Sequence, residues 1–142
     1  MYNLINATDV RRNWSMVSDA VIREKPQFIK RTRDYMMLSS MDFVQELLSG
    51  YNFTAAEFTE EDGSITLSLN ELDIAENAAT ESEAKLKLAK AVLEYAHDFY
   101  DDFAYWSKAP NRRGHIPYVF KALLLDNVQK IGESIECLHG RS

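Results

Sequence analysis

The sequence has 142 residues, 16 Lys and Arg against 22 Asp and Glu for a formal net charge of −6, and 46% hydrophobic residues. That length holds one ordinary domain or two small ones, and no apolar run approaches the length of a membrane span, so a soluble globular chain is expected. Met1-Tyr2-Asn3-Leu4 lacks the basic start and apolar core of a secretory signal, and a lone Cys137 excludes an internal disulfide framework; both fit a reducing cytoplasm.

Taken in order, Tyr2 to Ile5 reads as an opening strand. Val10, Trp14, Val17 and Val21 then recur at helical spacing and predict one buried stripe. Arg11 and Arg12 lie about 100° and about 200° round the helix from Val10, so both reach water. Asn6 with Asp9 three residues on has the form of a capping box, with a carboxylate near the positive end of the helix. Two short apolar runs, Phe28-Ile29 and Tyr35-Met36-Met37-Leu38, flank Thr32-Arg33-Asp34 and predict a hairpin. Met36, Met37 and Met41 read as core packing. Ser40 to Leu48 has the pattern of a capped amphipathic helix ended by Gly50. The order is β-α-β-β-α.

This order, with Thr8-x-x-Arg11-x-Asn13-Trp14-Ser15, Ile29-Lys30-Arg31 and Met37-Leu38-Ser39-Ser40-Met41-Asp42-Phe43, resembles the Phd/YefM family of bacterial antitoxins. The resemblance covers the first third of the chain. It implies that residues 1–50 form a dimerising module that binds operator DNA through an arginine in the first helix and another at the hairpin. Those positions match Arg11 and Arg31.

Beyond Gly50, Thr54, Ala56 and Phe58 alternate with Ala55, Glu57 and Thr59, Glu61-Asp62-Gly63 supplies a turn, and Ile65, Leu67 and Leu69 alternate inward. Leu72 to Ala75 is a candidate third strand. Thr80-Glu81-Ser82-Glu83 is a capping box opening a long helix with Leu88, Val92, Tyr95, Phe99 and Phe103 as its buried stripe. This β-β-β-α unit, with Thr80-x-x-Glu83-Ala84, resembles the partial ribonuclease-H-like domain of HicB-type antitoxins. The segment is too rich in Phe, Tyr and Leu to stay disordered. Pro110 and Gly114 interrupt the polar stretch 107–115, Pro117 suits a first helical turn, and Asp126 reads as the cap of a last helix with the stripe Val128, Ile131, Ile135 and Leu138.

Charge is unevenly spread. Residues 1–50 carry seven Lys and Arg against six Asp and Glu, residues 51–106 three against thirteen, and residues 107–142 six against three. DNA phosphates repel a net acidic protein, so DNA contact requires a local basic face, and the acidic middle suits either a basic partner or a solvated surface. Arg11 and Arg31 suit phosphate or guanine contacts through the planar guanidinium, or else are solvated surface groups; Arg12, Lys30 and Arg33 add electrostatic attraction and Asn13 local geometry. Asp98, Asp101 and Asp102 are placed to meet a basic partner. His97 and Asp101 stand four apart, but no third ligand motif accompanies them, so no metal is expected. Arg112, Arg113 and His115 read either as an anion site or as a loop neutralising the acidic middle. Cys137 reads as a small apolar core residue.

These features predict an α+β fold: a β-α-β-β-α module over residues 1–50 and an α+β partner-binding part over residues 51–142. The function that the Phd/YefM resemblance implies is that of a type II antitoxin. It would bind operator DNA as a homodimer and occlude a small basic ribonuclease toxin of the RelE sort, in the cytoplasm, without catalysis or cofactor. The other reading is a ligand- or protein-binding module that has the antitoxin-like fold without DNA binding.

Overall fold

The computed structural model describes residues 2–139. The chain is α+β and divides into two compact units, Met1–Leu47 and Leu48–Ser142.

In the first unit β1 (Leu4–Asn6) runs directly into α1 (Ala7–Arg12), followed by α2 (Trp14–Arg23), β2 (Gln27–Arg31), β3 (Asp34–Leu38) and α3 (Met41–Leu47). The sheet order is β1-β2-β3; β1 is parallel to β2, with Asn6 opposite Lys30, and β2 is antiparallel to β3, with Arg31 opposite Asp34. Val10, Val17, Val21 and Ile29 form its small core.

Where one helix is expected there are two. Asn13 leaves the helical path at φ −118°, ψ 40°; its N–H still makes the helical bond to the Asp9 carbonyl at 2.9 Å, and its side-chain amide donates to the same oxygen at 3.1 Å. Trp14 therefore leaves the stripe and is 54% exposed. Met36, Met37 and Met41 are exposed as well, not packed in a core. Asn6 does occupy the N-cap, but its side chain makes no capping bond. The hairpin turns on Thr32 and Arg33.

In the second unit β4 (Phe53–Thr59), β5 (Ile65–Leu69) and β6 (Ala75–Ala78) form a meander that leads into α4 (Glu81–Asp101). There follow α5 (Phe103–Trp106), a 3-10 turn (Arg113–His115), α6 (Ile116–Leu125), α7 (Val128–Ser134) and β7 (Ile135–His139). The sheet order is β6-β5-β4-β7. The β4–β5 and β5–β6 pairs are antiparallel and β7 runs parallel to β4. α4 lies across one face of the sheet with α6 and α7 against it, closing a core around Phe53, Leu67, Leu88, Val92, Phe99 and Ile131.

Gly63 takes the left-handed φ of 86° that the β4–β5 turn needs, and the Thr80 hydroxyl accepts from the Glu83 N–H as a helix cap. Other expectations need correction. The third strand lies at 75–78, while Leu72 drops into the core. The alternation on β4 holds as expected, with Phe53, Ala55 and Glu57 on the inner side and Phe58 exposed. Phe103 is not on the long helix, which ends before it. The cap of α7 is Asn127, whose side chain accepts from the Lys130 N–H; Asp126 instead ends α6 in the left-handed conformation, φ 44°. Finally, Ile135 and Leu138 do not continue a helix: Ile135–His139 is an edge strand paired with β4, and Leu138 is exposed.

Candidate nucleic-acid and partner interfaces

The parallel pairing of β1 with β2 decides where the cations of the first unit stand. Asn6 lies opposite Lys30, so the start of α1 meets the end of β2, and one turn of helix carries Arg11 to the same place. Arg11, Lys30 and Arg31 line a polar hollow of about 500 Å³ together with Thr8, Asp9 and Thr32. Among the described residues none of these three cations has a carboxylate within ion-pair distance. Arg12 and Arg33 are exposed but lie outside this wall. Thr32 closes the hairpin at φ 56°, a left-handed value that a β-branched residue adopts only under strain.

Arg11 also forms the rim of a second, apolar hollow of about 440 Å³, lined by Trp14, Ile29, Met36 and Met37. Trp14 continues it into a third hollow with Ile22 and Met41. Tyr35, Met36 and Met37 on β3 are all exposed, although successive strand residues face opposite sides of a sheet. The first unit thus leaves contiguous apolar surface uncovered beside its basic hollow. Helical spacing placed Trp14 in the core, and apolar character placed Met36, Met37 and Met41 there. The signal that β3 needs further cover was there in its apolar run on both faces.

In the second unit Asp98, Asp101 and Asp102 are exposed at the end of α4, where their charge opposes the helix dipole. Exposed aromatic residues adjoin them in the chain: Tyr100, Phe103 and Tyr105. The rings belong to a continuous ladder. Tyr100 and Phe103 each meet Phe120 edge-on, at 6.3 and 5.8 Å between centroids; Phe103 meets Phe99, Phe99 meets Trp106, and Trp106 meets Tyr105.

Arg112 and His115 are engaged with aromatic rings, while Arg113 is exposed. The Arg112 guanidinium carbon lies 5.8 Å from the centroids of both Tyr95 and Trp106, and His115 is buried with its Nδ1 2.7 Å from the Tyr95 hydroxyl. Its Nε2 faces Asp73 Oδ2 at 3.9 Å. Burial, and then the Arg112 charge, hold the His115 pKa below the ordinary histidine value, while burial raises that of Tyr95. No spacing links Tyr95 to His115, because the contact joins α4 to the 3-10 turn. His97 pairs with Asp126 at 3.7 Å, and the described residues contain no group of three metal-ligating side chains. Cys137 is half-buried on β7, and burial pushes its thiol pKa up, away from reactivity. Among the described residues no helix is long and apolar enough to cross a membrane.

A family model described as the antitoxin of a toxin–antitoxin system, RelE/RelB, PHD-like, matches residues 1–137. The chain is also similar, at 36% identity and a TM-score of 0.90, to the crystal structure of an antitoxin part of a proposed toxin/antitoxin system from Syntrophomonas wolfei subsp. wolfei. That match covers 96% of this chain and 99% of the other. No curated protein matches.

Proposed function

The chain belongs to the PHD-like antitoxin family of RelE/RelB systems, and from that premise we propose that its first unit binds operator DNA as a homodimer while its second neutralises the paired toxin. It is a type II antitoxin, not an enzyme.

The observation that carries the DNA reading is the convergence of Arg11, Lys30 and Arg31, without carboxylate partners among the described residues, in one hollow at the rim of uncovered apolar surface. Cations left unpaired in this way suit phosphates, and arginine's fork suits guanine edges. Burying Trp14, Met36 and Met37 against a second copy would set two such hollows on two operator half-sites. Arg12 and Arg33 then act at longer range, through charge. The two-residue tip of Thr32 and Arg33 sets Arg33 just beyond Arg31, the last residue of β2.

For the toxin, the acidic end of α4 is the favoured surface. Asp98, Asp101 and Asp102 would meet arginines and lysines that a small basic RelE-like ribonuclease uses to hold RNA phosphates. Neutralisation is occlusion of that surface, and a reducing cytoplasm is where such a toxin meets its RNA. The likeness of the middle of the chain to HicB-type antitoxins fits this role, because both would cover a toxin with an ordered domain.

Two measurements test the reading together. Co-expression with the basic protein encoded beside this chain should relieve growth arrest, and the purified chain should shift a DNA fragment from its own promoter. Relief without DNA binding would leave a protein-binding module with an antitoxin-like fold. Replacing Asp98, Asp101 and Asp102 with asparagine should slow toxin association by about an order of magnitude and flatten its salt dependence. An unaltered rate would move the toxin surface elsewhere.

A further inference from the structure

We propose that the aromatic ladder at the end of α4 is an arginine-binding surface: the exposed ring faces of Tyr100 and Tyr105 take guanidinium groups of the basic partner while the adjacent aspartates hold their charge. This deepens the toxin-neutralising reading of the same surface and rests on it.

Tyr100 is 57% and Tyr105 64% exposed, the two most exposed aromatic rings of the second unit among the described residues. Each packs against a neighbouring ring. Tyr100 stands edge-on to Phe120 at 77°, and Tyr105 edge-on to Trp106 at 81°. Anchored rings present a face at little further entropic cost, which is what an interface anchor requires. The sequence Tyr100-Asp101-Asp102-Phe103-Ala104-Tyr105 places carboxylates between the two rings. A purely apolar partner would bury those aspartates unpaired and is disfavoured. A cation with a flat, weakly hydrated face satisfies both ring and carboxylate, which selects arginine over lysine.

The same molecule already uses this chemistry once. Arg112 lies against Tyr95 and Trp106, and Trp106 is the ring that backs Tyr105. Aspartates and rings divide the work: the charges speed encounter, and the rings slow departure.

The test titrates the full chain with tetra-arginine amide and tetra-lysine amide at low ionic strength, following the ring resonances of Tyr100 and Tyr105 by NMR. Tetra-arginine should bind about three- to tenfold tighter than tetra-lysine and shift both rings, as expected for one or two exposed cation–π contacts. Tyr100→Leu with Tyr105→Leu should erase that preference with an unchanged melting curve, while Asp98→Asn with Asp101→Asn and Asp102→Asn should weaken both peptides. Equal binding of the two peptides, sensitive to the aspartates and silent at the rings, overturns this inference and leaves the acidic toxin surface standing. Binding that ignores the aspartates, or no binding at all, overturns both. Should the leucine variant melt early, the ring shifts in the unaltered chain decide by themselves.

Discussion

The Tyr95 hydroxyl lies 2.7 Å from Nδ1 of His115. The Asp73 carboxylate beside Nε2 favours the tautomer with its hydrogen there, leaving Nδ1 to accept from the hydroxyl. Because burial and Arg112 depress the folded pKa, the unfolded chain binds the proton first as pH falls. This contribution to stability is complete above about 6.5 and is lost as pH drops from there through the lowered folded value. Urea midpoints measured from pH 8 to pH 5 should therefore decline on the acid side. In His115→Gln, which keeps an acceptor for Tyr95, that part of the decline should vanish. An identical slope in the variant would assign the acid sensitivity to other groups.

Thr32 adopts φ 56° at the hairpin tip, where glycine would sit without strain. Thr32→Gly should stabilise the first unit by about 0.5–1 kcal/mol, the relief of left-handed strain outweighing glycine's greater unfolded entropy. Slower hydrogen exchange at the β2–β3 amides would report it. Faster exchange would mean that the threonine side chain supports the turn.

Arg11→Ala and Arg31→Ala should each weaken binding to promoter DNA while changing stability by no more than about 0.5 kcal/mol, since both are exposed and have no carboxylate partner among the described residues. If each contacts a phosphate, each substitution also lowers the salt slope by about one. Fluorescence anisotropy across a salt series measures both quantities. Unchanged affinity in the double variant would take DNA contact away from this hollow.

Trp14 is 54% exposed between the two apolar hollows, so a dimer that uses this face should bury it. Trp14→Lys should give monomers in sedimentation at micromolar concentration, with the second unit's melting unchanged. Loss of the dimer should also weaken operator binding, because two half-sites would no longer be held together. A dimer that survives the lysine would place the interface elsewhere.

Local chemistry was legible in the sequence wherever it is decided by neighbours in the chain. The inward side of Ile65, Leu67 and Leu69, the cap at Thr80, the turn at Gly63 and a hairpin about Thr32-Arg33-Asp34, whose turn is the first two of these residues, all follow from features within a few residues. The motifs around Arg11 and Arg31 pointed to an antitoxin for the same reason: they are short and contiguous.

Burial was another matter, because it depends on what lies across the fold. Trp14 kept helical spacing with Val10 and Val17, but the non-helical backbone at Asn13 divides the helix and leaves the indole in the open. The stripe of Ile131, Ile135 and Leu138 fits a helix as well as a helix followed by a strand, and only the free edge of β4 draws 135–139 into the sheet. Nor does any spacing join Arg11 to Lys30, or Tyr95 to His115. Parallel pairing of β1 with β2 makes the first neighbourhood, and the turn between α5 and α6 makes the second. A sequence carries local preference at each position; which solvated residue becomes a neighbour is settled when distant segments close a common core.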